Sequence, residues 1–400
     1  MNSLTSKVTV IGLGYVGLPL ALVMADKGAE VNGFDTNQNK INLLNSGATF
    51  LDEEELINLW NKNNKKIKFS SSFIKSDVYL IAVPTPLEEG KITCDMKYID
   101  EAIHIISNNL KKGDKVILVS TCPVGSVNHV AKLIFNKSKL EAGRDYSLGY
   151  CPERLYPGDT YDEIINNEHI IGGYTKICGN QIADFYREFI SIHTNITRST
   201  VAELSKLAEN AYRDVNIAFA NELAEIAYKY KENVDDVIGL SNLHPRVKIL
   251  DPGVGVGGHC LPIDPWFLIP YQQKSSFSVI RAARKLNDQV PHSYAKRIIK
   301  MILNRTNFSQ KKGFDVALLG YTYKPESSDL RESPAKLIIE IIKSHSFNVY
   351  SYDPFVDKGD KKENVIKNLQ NSSLIILLVE HIELQEICKN VDYISWRDIK

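Results

Sequence analysis

Residues 253–268 read GVGVGGHCLPIDPWFL, which sets one thiol, Cys260, behind Gly253, Gly255, Gly257 and Gly258 and four residues ahead of Asp264. Glycine at that density is too costly for a helix or strand interior, so the stretch predicts a loop whose backbone comes close to something. A thiol closing such a loop is a buried filler, a metal ligand or a nucleophile, and the stretch alone leaves all three open. A second set lies upstream: Lys206, Asn210, Arg213 and Ile217 fall at i, i+4, i+7 and i+11 of residues 200–230, which hold no Gly or Pro. That spacing puts an ammonium, an amide and a guanidinium on one helical face. The face is either solvated or aimed into a site.

Such groups need elements to hold them. KVTVIGLGYVGLPL (7–20) runs a β-branched strand into Gly12-x-Gly14-x-x-Gly17 and then an apolar helix. Gly12 permits the tight turn, Gly14 lets the backbone approach a pyrophosphate, and Gly17 allows close helix–strand packing. With Tyr15 and Val16 they would put phosphates on free N–H groups at the helix start. A second strand, AEVNGFD (29–35), ends in Asp35, 18 residues beyond Gly17. A carboxylate there accepts from ribose hydroxyls and repels a 2′-phosphate, so NAD is expected rather than NADP. The bland alternative, glycines serving only the turn, fits less well with strand, helix and acid all in register. The apolar runs at 77–86, 115–125 and 146–154 end in loops carrying Thr85, Thr121 and Glu153. Parallel strands gather such ends where cofactor and substrate meet.

The pattern restarts near the C-terminus, with strands expected in 315–342, 347–354 and 372–381 and a polar linker at 304–313. This half lacks the glycine fingerprint, but Asp353, Lys324 and Arg331 suit a different nucleotide. The predicted fold class is α/β: two Rossmann-like doubly wound domains joined by a central helical domain with a long helix. The boundaries are 1–198, 199–305 and 312–400. One cofactor and one nucleotide-linked substrate would face each other across the middle. The alanine-rich side of the helix (Ala218, Ala220, Ala224, Ala227) suits a partner helix, and a homodimer through 200–230 is expected. Lys+Arg and Asp+Glu both number 48, which removes the electrostatic case for nucleic acid. No charged leader precedes the first strand, no apolar run approaches a bilayer span, and the six cysteines show no C-x-x-C pair. These features point to a cytoplasmic protein with reduced thiols and no membrane partner. Neighbours such as His259 and Cys260 rarely share one ion, and no further His/Cys cluster follows, so no metal is expected.

The set GLGYVGLPLA, VPTP, STCPVG, CPERLYPG, ELSKLAENAYRDVNIAFANEL, HPRV, GVGVGGHC and YTYK–DLRESPA resembles the UDP-glucose/GDP-mannose dehydrogenase family, in order and over nearly the whole chain. The resemblance implies oxidation of a UDP-sugar C6 alcohol to a carboxylate, with two NAD+ reduced, for surface polysaccharide or capsule precursors. UDP-N-acetyl-D-mannosamine is the expected substrate. UDP-N-acetylglucosamine, UDP-N-acetylgalactosamine and UDP-glucose are the rivals.

Residue by residue, it implies that Cys260 is the nucleophile and that Lys206 and Asn210 bind the C6 oxygen. Asp264 and Glu153 handle protons and water, which Thr121 orders. Arg154 and Gly257 border the sugar, Arg246 and Lys324 meet the UDP phosphates, Arg213 and His244 read the N-acetyl sugar, and Arg331 lies near the cofactor. The chain departs from the family at Pro325, after the C-terminal lysine, and at Ser395 and Trp396, where an acid and threonine are common. Two other classes stay in view. A single-step dehydrogenase of the 3-hydroxyacid type would need no cysteine. A silent sugar-nucleotide sensor would lack Cys260, Lys206 or Asn210.

Overall fold

The β-branched run Lys7–Ile11 forms β1, which is buried along nearly its whole length at the middle of a sheet. The computed structural model describes residues 6–155, 158–190, 194–269, 278–305, 314–345, 347–359 and 362–399. Residues 306–313 of the expected linker, and Tyr156 and Pro157, lie outside them. The chain divides into two units, Met1–Ala208 and Glu209–Lys400.

In the first unit, β1 is followed by β2 (Glu30–Phe34), β3 (Ile67–Ser70), β4 (Val78–Ile81), β5 (Lys115–Leu118), β6 (Ser147–Tyr150), β7 (His169–Gly173) and β8 (Thr194–Arg198). Their order is β3-β2-β1-β4-β5-β6-β7-β8. Ile11 pairs with Phe34 and Ile81, Ile81 with Leu118, and Leu118 with Tyr150. Five parallel strands therefore end at one level, and the loops after them open on one edge. β4 is fully buried, as expected of a parallel strand covered on both faces. β7 runs antiparallel to β6, pairing Tyr150 with Gly172.

The Ser199–Tyr230 helix is continuous over 32 residues, and the division between units falls within it. Its alanines do not form an open seam. Ala218, Ala220 and Ala227 are buried, and the polar residues of another face bond to the Val279–Arg305 helix, as in Asn221 to Asn287 at 2.9 Å. The exposed apolar stripe is Tyr212, Phe219 and Ile226, spaced by seven residues. Small residues let this helix pack within its own chain, and the bulky ones are left outside.

The second unit carries β9 (Asp315–Leu319), β10 (Asn348–Tyr352), β11 (Leu374–Leu377) and β12 (Ile394–Ser395), all parallel in the order β10-β9-β11-β12. Val316, Leu318 and Ile376 pack with Ile338 and Ile342 of the Pro334–Ser344 helix, and Trp396 joins that core. Among the described residues, no helix is long and apolar enough to cross a membrane.

Candidate active site

Gly12 has φ +92°, and a Cβ on it would lie 2.4 Å from the Ala82 carbonyl oxygen. A Cβ on Gly17 would lie 1.9 Å from the Gly12 oxygen, whereas around Gly14 nothing lies within 4 Å. One glycine makes the turn, one packs the helix, and one leaves room above the backbone at the start of the Gly17–Asp26 helix. Tyr15 is exposed and Val16 half-buried beside this opening. Asp35 accepts from the Leu13 N–H at 2.9 Å, the Asn37 N–H at 2.9 Å and Lys40 Nζ at 2.6 Å. The acid is thus in place, though Lys40 offsets part of its charge. An open cradle of N–H groups with a carboxylate on the next strand end fits a nicotinamide dinucleotide.

Thr85 and Thr121 are half-buried in the loops after β4 and β5. After β6 comes Glu153, 8% exposed, with one carboxyl oxygen that has no hydrogen-bond partner among the described residues. Burial pushes its carboxyl up to about 7, against the pull of Lys206 and Arg154. Lys206 is also 8% exposed and bonds to none of the described residues, so its donors are unspent. A carboxyl poised near neutrality beside such an ammonium can exchange a proton with water and stabilise a developing oxyanion. Arg154 instead donates to the Glu168 carbonyl.

In the second unit, Cys260 is half-buried, whereas the other five cysteines are buried. Desolvation raises the thiol pKa of Cys122, Cys151 and Cys388, which keeps them inert. Cys260 Sγ lies 3.4 Å from His259 Nε2. The Cys260 carbonyl accepts the Asp264 N–H at 2.8 Å, and the Asp264 carboxylate accepts from Asn210 Nδ2 at 2.5 Å. Gly257 faces protein: a Cβ there would lie 2.7 Å from the Glu332 oxygen. The Gly258 N–H donates to the Arg331 carbonyl at 3.0 Å, joining the Cys260 loop to the loop after β9.

The other expected groups lie outside the 253–264 stretch. Arg213 is exposed, and its neighbour Asp214 turns inward to Arg284. His244 and Arg246 share an exposed turn, where the Arg246 N–H donates to His244 Nδ1 at 3.3 Å, and neither bonds to the Cys260 loop. Lys324 is half-buried over Tyr323, and Arg331 pairs with Asp329. Asp353 is no open nucleotide ligand. Fully buried, it accepts from the Tyr321 and Thr322 N–H groups at 2.7 and 3.0 Å and from His381 Nε2 at 3.1 Å. Its charge ties three strand ends together. Among the described residues no group of three His, Cys, Asp or Glu side chains could hold a metal ion.

Some residues that organise the site escape a sequence reading. Glu203, fully buried one turn before Lys206, accepts from the Gly125 and Val127 N–H groups at 2.7 and 2.9 Å and so holds the loop that carries Thr121. Arg284 and Asn287 are buried on the Val279–Arg305 helix. Polar residues three apart on an apolar helix face were the available signal.

A dinucleotide cradle followed by a buried acid–lysine pair defines a nicotinamide-dependent dehydrogenase. The comparisons agree and go further. The UDP-glucose/GDP-mannose dehydrogenase family's NAD binding domain matches residues 6–190, its central domain 200–289 and its UDP binding domain 317–397. The UDP-N-acetyl-D-mannosamine dehydrogenase of Methanococcus vannielii is 36% identical over 396 residues, covering 97% of this chain and 90% of the relative. That of Campylobacter jejuni is 37% identical over 401 residues, covering 96% and 97%. The solved UDP-D-ManNAc dehydrogenase of Pyrococcus horikoshii superposes with a TM-score of 0.90 at 35% identity, covering 98% and 96%. The chain belongs to the UDP-glucose/GDP-mannose dehydrogenase family.

Proposed function

We propose that the protein oxidises the C6 alcohol of UDP-N-acetyl-D-mannosamine to the carboxylate through a thioester on Cys260. The observation that carries this is the placement of Cys260: alone among six cysteines it leaves the core, on a glycine-rich loop whose next turn bears Asp264. The relatives' substrate, at 36–37% identity, supports the choice of sugar.

A bound nicotinamide dinucleotide supplies the hydride acceptor, once for each oxidation. In the first, C6 loses hydride and the hydroxyl its proton, giving an aldehyde. The Cys260 thiolate then adds to the aldehyde carbon, and Lys206 and Asn210 stabilise the negative oxygen. Loss of a second hydride turns this thiohemiacetal into a thioester. Water, held by Thr121 and deprotonated by Glu153 or Asp264, cleaves the C–S bond and returns the thiolate. The sum is alcohol plus two NAD+ plus water giving carboxylate, two NADH and three protons. Lys324 and Arg246 would meet the UDP phosphates, Arg213 and His244 the N-acetyl group, Arg154 and Gly257 the edge of the sugar site, and Arg331 the cofactor.

Asp35 favours NAD over NADP. A homodimer through the Ser199–Tyr230 helix is part of the reading, its seam being the Tyr212–Phe219–Ile226 stripe. So are a cytoplasmic setting and a role in surface polysaccharide synthesis. The experiment is to offer UDP-N-acetylmannosamine, UDP-N-acetylglucosamine, UDP-N-acetylgalactosamine and UDP-glucose with NAD+ or NADP+ and count reduced cofactor per sugar. Two NADH, with the mannosamine fastest, is expected. One NADH per sugar would move the protein to the single-step hydroxyacid type, and a faster rival sugar would move the substrate.

A further inference from the structure

The loop that carries Cys260 is held at both ends by one buried polar chain. At its start, the Gly253 N–H donates to Asn221 Oδ1 at 2.9 Å. Asn221 Nδ2 passes the connection to Asn287 Oδ1 at 2.9 Å, and Asn287 Nδ2 reaches Asp214 Oδ1 at 2.9 Å and its carbonyl at 3.0 Å. Asp214 pairs with the Arg284 guanidinium. Arg284 Nη1 then donates to the carbonyl of Leu261, the residue after Cys260, at 3.3 Å. Its Nε and Nη2 are fixed on Asp288 at 3.1 and 2.8 Å. Asn221, Asn287, Asp214 and Arg284 are all at most 2% exposed.

We propose that Arg284 is a positioning residue for Cys260: through Asp214, Asn287 and Asn221 it clamps both ends of the 253–261 loop and fixes where the sulfur meets the substrate carbon. The inference rests on the reading of Cys260 as nucleophile. Glycines leave the loop backbone with many accessible conformations, so a stretch with Gly253, Gly255, Gly257 and Gly258 must be held by something outside itself. A buried polar chain bonded from one end of the loop to the other does so with fixed geometry. Arginine suits the corner because its planar fork serves Asp214, Asp288 and a carbonyl at once, which the single ammonium of lysine does not.

Two variants test the clamp from opposite ends. Arg284→Lys keeps a cation for the buried Asp214, avoiding an uncompensated charge, but gives up the fork. Asn221→Ala frees the Gly253 N–H. In both, hydrogen exchange over 253–261 should quicken by about ten-fold or more, with the Ser199–Tyr230 and Val279–Arg305 helices unchanged. In single turnover the first NADH should form at nearly the wild-type rate. The second, which needs the sulfur in place, should slow by about 100-fold, with KM for the sugar nucleotide within about two-fold. Unchanged exchange in the loop, a loosened loop in only one variant, or equal slowing of both hydride steps overturns the proposal. If the wild-type enzyme itself yields a single NADH, the thioester reading fails instead, and the exchange of the two variants alone decides the clamp.

Discussion

Asn210 gives its side-chain amide to the Asp264 carboxylate at 2.5 Å, so the two residues form a bonded pair. The backbone of Asp264 is fixed in turn by the Cys260 carbonyl. An Asp264→Asn variant keeps an acceptor for Asn210 and loses only the charge. It should fold normally and lose about 10²–10³-fold in kcat with little change in KM, the scale of a lost acid–base group. A KM rise without a kcat loss would make Asp264 a binding residue.

Glu153 supplies the pH dependence. Its carboxyl is raised from 4.5 to about 7, first by burial. The folded state therefore holds a proton that the unfolded chain has released, and stability falls as pH rises from about 4.5 to about 7, then levels off. Glu153→Gln should match wild type below that window and exceed it above by about 3 kcal/mol or less. Denaturant melts at pH 4.5 and 8 check this, and a difference independent of pH would refute it. The same variant should lose the limb of the kcat profile near pH 7.

Gly257→Ala should damage the Cys260 loop, because its Cβ would come within 2.7 Å of both the Glu332 oxygen and Tyr323 Cβ. Relief of such overpacking costs about 1–3 kcal/mol. Gly239, inside the Val234–Ser241 helix with nothing within 4 Å, is the control. There alanine should stabilise by about 1 kcal/mol. Thermal melts of both variants decide, and an equal response would mean that the contacts of Gly257 carry no weight.

Phe219→Asp should convert a dimer to a monomer in sedimentation, since Phe219 is 50% exposed at the centre of the apolar stripe and a carboxylate buried there would be unpaired. A dimer that survives the change would move the seam elsewhere.

The opening of the first unit was legible in the sequence because local rules govern it: Gly12, Gly14 and Gly17 each meet the steric demand their spacing implies, and Asp35 ends the next strand. The long helix was legible for the same reason, lacking Gly and Pro. Tertiary choices were not. Ala218, Ala220 and Ala227 of that helix are buried, and its Asp214 and Asn221 bond to a second helix, Val279–Arg305, that keeps Pro291 in its interior. Asp353, a ligand by its strand-end position, spends its charge on His381 and three N–H groups. Arg284 shows no motif at all, since what makes it matter is the carbonyl of Leu261, 23 residues away.

The central claim is a sugar covalently held on Cys260 between two hydride transfers. Glu153→Gln should slow hydrolysis, so its adduct should accumulate. Quenching that variant during turnover and weighing the peptide 253–268 tests the claim directly. A mass increase equal to the acyl group of the sugar nucleotide is expected on Cys260. Two NADH per sugar from an enzyme whose Cys260 stays unmodified, or can be serine at no loss of rate, would contradict it.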